Sequence, residues 1–198
     1  MKALDQLLQR WRAAKASPFV QEGDRLLDVG CPDRVLIDKV LAKVRSATGV
    51  DALLEPVSEG KVALLRGLFP DDFDFAAETF DCICILAVLE HVEDPAALAR
   101  ECHRVLAPGG RVVLTVPHPF VDEIIDWGIR LRILDGMAAE EHHAFDVSLT
   151  RPTFVDCGFR LVRERRFQLG FNRLFVFEKP IDAGQSARGG SNDRIEFG

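Results

Sequence analysis

The chain of 198 residues contains no tyrosine, although it carries 14 Phe and 2 Trp. Chemistry that needs a phenolic hydroxyl as acid, base or nucleophile is thereby excluded. Cysteine is sparse: Cys31, Cys82, Cys84, Cys102 and Cys157 are odd in number and include no C-x-x-C pair. Such spacing implies neither a disulfide framework nor a cysteine-rich metal site, and scattered thiols point to a reducing, cytoplasmic setting. Long apolar runs are missing as well. The longest, Cys82 to Leu89, has eight residues, against the roughly 20 needed to span a bilayer. The N-terminal segment has no apolar core of the signal-peptide kind. An excess of positive charge is also absent: the formal net charge is −6, which argues against a nucleic-acid partner held by phosphate contacts.

What is present is enough for one folded domain. A chain of this length buries roughly 70% of its unfolded surface, and 47% of its residues are hydrophobic. Leu4, Leu7, Leu8 and Trp11 recur with helical period, predicting a helix over 3–15 that Ser17-Pro18 closes. Short β-prone runs follow at 25–30, 47–50 and 62–65, with a helical pattern at 35–44 and a short helix expected at 54–61. The run Phe80 to Leu86 (FDCICIL) is nearly all apolar, as expected of a central parallel strand covered on both faces. Asp94-Pro95 starts a helix, with Asp as N-cap and Pro in the first turn. Pro108-Gly109-Gly110 ends that helix and precedes a strand at 111–116. Strands alternating with helices imply a parallel α/β sheet. The last part differs: a short helix at 150–157 and two strands joined through Gly170–Asn172 suit an antiparallel hairpin. Residues 1–180 are expected to form the domain, 117–148 a lid or substrate segment, and 181–198 a disordered tail.

In open α/β sheets, ligands sit beyond the carboxyl ends of the strands, so the strand-ending residues are the candidates. Asp28-Val29-Gly30-Cys31 ends the first strand, and glycine permits a tight turn there. Asp51 ends the second strand, 21 positions after Gly30. That spacing suits an acid accepting hydrogen bonds from an adenosine ribose, although Asp51 could also cap a following helix. Asp28 could equally be a strand-end residue bonding loop amides.

The set LLDVGC (26–31), GVD (49–51), FDCICILAVLEHVEDP (80–95) and RVLAPGG (104–110) resembles the class I S-adenosylmethionine-dependent methyltransferases, and the UbiE-like, type 11 group in particular. The resemblance covers residues 22–117 closely and 118–180 more loosely. It implies a Rossmann-like, seven-stranded, mostly parallel sheet with helices on both faces and an antiparallel C-terminal hairpin. It also implies S-adenosylmethionine as cofactor and a small-molecule, lipid-like or sugar-like methyl acceptor. Asp28 and Gly30 match positions that hold the methionine end and adenosine, and Asp51 matches the ribose carboxylate. Leu86 matches a backbone contact to the methionyl group, with Cys31 and Ala52 completing the set beside their neighbours.

Three departures stand out. Pro32 and Arg34 replace the second and third glycines of the family's G-x-G-x-G loop, and Leu68 falls where an acid often meets the adenine amino group. Asp71 or Asp72 could substitute if the loop folds back. These departures keep open an alternative, a catalytically weakened methyltransferase-like partner or regulatory protein. A nicotinamide-dependent oxidoreductase is disfavoured, because the G-x-G-x-x-G fingerprint is absent. If a general base exists, His118, directly after the fifth strand, is the candidate. His91 in LEHV reads as structural, and the Glu140-Glu141-His142-His143 cluster reads as solvated loop. Oligomeric state and acceptor identity carry no spacing rule in the sequence.

Overall fold

The alternation of FDCICIL decides the centre of the molecule. In a computed structural model, which describes residues 3–117 and 146–181, this run is strand β5 (Phe80–Leu86). Its side chains divide between two cores. Cys82 and Cys84 face one side of the sheet, Ile83 and Ile85 the other, as a two-residue period requires. With both faces covered, every position from Cys82 to Ile85 is fully buried.

Around β5 lie β1 (Arg25–Val29), β2 (Ser46–Asp51), β3 (Val57–Glu59), β4 (Val62–Arg66), β6 (Leu106–Pro117), β7 (Arg160–Phe167) and β8 (Asn172–Glu178). They form one eight-stranded sheet in the order β3-β4-β2-β1-β5-β6-β8-β7. The pairs among β4, β2, β1, β5 and β6 are parallel. Strands β6, β8 and β7 pair antiparallel, giving the expected terminal hairpin.

The eighth strand is β3, in place of the short helix expected at 54–61. No apolar helical stripe exists there, and all three strand residues are exposed. Gly60, with φ 57°, instead turns the chain so that Glu59 pairs antiparallel with Val62. A two-residue turn with positive φ matches strand twist and favours a hairpin.

Helices α1 (Ala3–Ala16) and α2 (Val35–Val40) cover one face. The other is covered by α3 (Pro95–Val105) and α4 (Thr150–Asp156), where Leu98, Cys102 and Phe154 pack on Val112, Phe175 and Phe177. The start of α3 is as the sequence predicts: the Asp94 carboxylate accepts from the Ala97 amide at 2.9 Å, with Pro95 in the first turn. The Pro108-Gly109-Gly110 segment does not delay the strand. β6 begins at Leu106, because Gly109 and Gly110 bond the Lys179 backbone in both directions. No helix among the described residues is long and apolar enough to cross a membrane.

Candidate active site

The order of the sheet reverses between β1 and β5: from β1 the chain first builds outward to β2 and β4, then returns to β5 on the other side. A crevice opens at such a point beyond the strand ends, and here it is a cavity of about 1020 Å³. Asp28, Gly30, Cys31, Asp51, Ala52, Leu68 and Leu86 all line it. Sequence reading thus assembled seven residues from four strand ends that the fold brings to one place.

Gly30 is required twice over. Its φ is 73°, and a Cβ there would lie 2.2 Å from Val88 Cγ2. Its amide donates to Val50 O at 2.8 Å, tying the turn to β2. Asp28 is 3% exposed. Burial first, and then the neighbouring charge of Asp51, push its carboxyl up to about 8. The free protein therefore holds Asp28 protonated at neutral pH, and a cationic ligand would draw it back to carboxylate. Asp51 caps no helix. One carboxylate oxygen accepts from Leu53 N at 2.8 Å in an Asx turn. The Cys31 thiol is raised far above its usual range, mainly by burial, with Asp28 and Asp51 adding to it; it is no thiolate nucleophile.

The family departures have local explanations. Arg34 adopts φ 57° and ψ 13°, a left-handed conformation that glycine takes without steric cost. The loop keeps that backbone shape, and the guanidinium is moored to Asp38 at 3.2 Å. Pro32 lines the cavity without an amide hydrogen to offer. Leu68 is 61% exposed, and its amide donates to Asp72 Oδ2 at 2.7 Å. Asp72 is therefore committed to the loop itself, whereas Asp71 lines the cavity.

Gln9, Arg12 and Ala13 of α1 are among the lining residues that the sequence did not single out. Their helix is legible, but nothing in its period says that its inner face overhangs the strand ends. His91 also lines the cavity, in the turn after β5. His118 and the 140–143 cluster lie outside the described residues. His103 packs edge-on against the Phe159 ring at 5.1 Å, and no metal-binding cluster occurs among the described residues. The walls are acid-rich: Asp28, Asp33, Asp51, Asp71, Glu93 and Asp94, against Arg12 and Arg34. Such a site favours a ligand carrying positive charge.

Comparison with known proteins bears on the same region. A family model described as "Methyltransferase domain" matches residues 2–152. A ubiquinone biosynthesis O-methyltransferase of Pseudomonas aeruginosa is 34% identical over 102 residues, covering 47% of this chain and 44% of that protein. Its Xanthomonas oryzae counterpart is 38% identical over 105 residues, covering 47% and 43%. The chain thus spans less than half the length of the curated relatives it matches. An S-adenosylmethionine-dependent methyltransferase structure from Mesorhizobium loti superposes with TM-score 0.65 at 17% identity, over 89% of this chain and all of that one.

Proposed function

This chain belongs to the methyltransferase-domain family, and on that premise we propose that it transfers a methyl group from S-adenosylmethionine to a small-molecule acceptor. The observation that carries the reading is the acid-walled cavity at the sheet's reversal point, which gathers Asp28, Gly30 and Asp51. When bound, S-adenosylmethionine supplies an electrophilic methyl on a sulfonium, with a neutral thioether as leaving group.

The residues fit that group. Asp51 at the end of β2 suits the two ribose hydroxyls, and Asp71 on the cavity wall suits the adenine amino group. Asp28, buried on the cavity wall, suits the ammonium of the methionine end, and Arg12 suits its carboxylate. Cys31, Ala52, Leu68 and Leu86 supply the remaining walls. Catalysis of an in-line displacement rests mainly on alignment of donor and acceptor. A base is needed only if the acceptor keeps its proton; His118 and the cavity-lining His91 are the candidates.

Thermal shift with S-adenosylmethionine, S-adenosylhomocysteine and NAD in parallel tests the proposal. Both sulfur ligands are expected to stabilise by about 2.7 kcal/mol at 100-fold over their dissociation constants, and NAD not at all. Absence of a shift with either sulfur ligand at millimolar concentration would favour the cofactor-free partner role. Asp51→Ala is expected to weaken cofactor binding by roughly ten-fold, the worth of a charge-assisted hydrogen bond, while the fold persists. Unchanged affinity in that variant would remove Asp51 from the ribose site.

A further inference from the structure

Among the described residues the sheet ends on β7, which pairs with β8 and leaves its other edge open. Its eight residues, RLVRERRF, hold four arginines and one glutamate in a chain whose net charge is −6. All of them except Leu161 and Phe167 are exposed. Two of these charges are answered within the hairpin. Arg160 pairs with Glu178 at 2.8 Å, and Glu164 with Arg173 at 3.4 Å. Arg163 lies over the Phe19 ring at 5.9 Å. Arg163, Arg165 and Arg166 form no ion pair among the described residues.

The register with β8 slips between Leu161 and Arg163, and Val162 stands outside the ladder. From Arg163 to Phe167 the pairing is regular, one residue to one. Along that stretch alternate residues point their backbone N–H and C=O away from β8, which makes it a template for a further strand. Leu174 and Val176 face the α1 side, so their partners Arg165 and Arg163 project there too. Arg166 projects to the opposite side by strand alternation. The free cations thus flank the open edge on both faces of the sheet.

That arrangement limits the occupant. A second copy paired antiparallel within this stretch sets arginine against arginine, and like charges directly opposed across strands are destabilising. A nucleic-acid backbone lying on the sheet would meet the cations of one face alone. A strand added in the plane of the sheet has side chains on both faces. Acidic ones would pair with Arg163 and Arg165 on one side and with Arg166 on the other.

We infer that the Arg163–Phe167 edge of β7 docks an extended, acidic segment of a partner protein, which joins the sheet as a further strand. Backbone hydrogen bonds supply the affinity in such a mode, and the side-chain pairs supply the selectivity. The inference stands apart from the methyltransferase reading, since no residue of the cavity takes part in it.

Fluorescence anisotropy on the full chain tests it with a labelled peptide of sequence TTEEEETT, at low salt where surface charges are least screened. This peptide is expected to bind at least about five-fold tighter than its TTQQQQTT counterpart. N-methylation of the four central amides keeps the charge, removes the backbone donors and should weaken binding about five-fold or more. Arg165→Gln and Arg166→Gln should each weaken the acidic peptide about three-fold, and both combined with Arg163→Gln about ten-fold. Bound peptide should also slow hydrogen exchange at alternate amides within 163–167. Equal affinity for the two peptides, indifference to N-methylation or to the combined variant, or no binding at millimolar peptide overturns the inference. Tighter binding of an octauridylate overturns it as well, and makes the edge a phosphate-binding surface. If the combined variant self-associates while the unaltered chain ignores the acidic peptide, the arginines only guard the edge against aggregation, and the inference falls.

Discussion

Asp28 concentrates the electrostatic cost of the site in one carboxyl. The unfolded chain releases its proton near pH 3.8 and the folded chain near 8. Between those values the folded state holds the extra proton, so this group makes stability fall as pH rises through the window. Each unit corresponds to about 1.4 kcal/mol. Asp28→Asn should therefore flatten the pH dependence of chemical denaturation across that range and stabilise the free protein at its upper end. The same variant should weaken binding of the cationic cofactor. An unchanged pH slope would mean that Asp28 is not the titrating group. Arg34 is the second costly residue, since a left-handed backbone costs an L-residue about 1–2 kcal/mol. Arg34→Gly should recover about 1 kcal/mol of that, offset in part by the greater freedom of glycine in the unfolded chain, as a rise in denaturation midpoint. A fall would show that the Asp38 ion pair outweighs the strain.

At the scale of elements, the legible ones carried a periodic or capping signal. Asp94-Pro95 announced α3, and its cap is worth about 1 kcal/mol. Asp94→Ala should lower the denaturation midpoint accordingly, and no change would leave the Ala97 bond without weight. The nearly all-apolar run Phe80–Leu86 identified β5 as central without saying which residues face α1 and which face α3. That choice depends on partners far away in sequence. β3 was illegible because three exposed residues paired through Gly60 leave no apolar pattern. The strand-end residues of the site were readable because glycine and aspartate are needed there for conformation and charge. The contributions of Gln9 and Arg12 were not, because each depends on where a whole helix comes to rest.

For the molecule as a whole, two cores share one sheet, and β5 supplies side chains to both. Damage to either core should therefore unfold both together. Phe177, fully buried and stacked on Phe154 at 4.8 Å, belongs to the α3–α4 core and does not line the cavity. Phe177→Ala is expected to cost about 3–5 kcal/mol while retaining one transition by circular dichroism and fluorescence. Separate transitions would show that the two layers melt independently.

The burial of the cysteines gives this chain an internal reporter. Cys31, Cys82, Cys84 and Cys102 are buried and only Cys157 is partly open, so alkylation of the first four must wait for the structure to open. Cys31 differs from the other three by bordering the cavity. Its labelling rate follows movement of the β1 turn, whereas labelling at Cys82, Cys84 and Cys102 follows loss of the cores. A mass-resolved alkylation time course on the unaltered protein therefore separates breathing of the binding cleft from global unfolding, and occupancy of the cleft can be read as protection at a single sulfur.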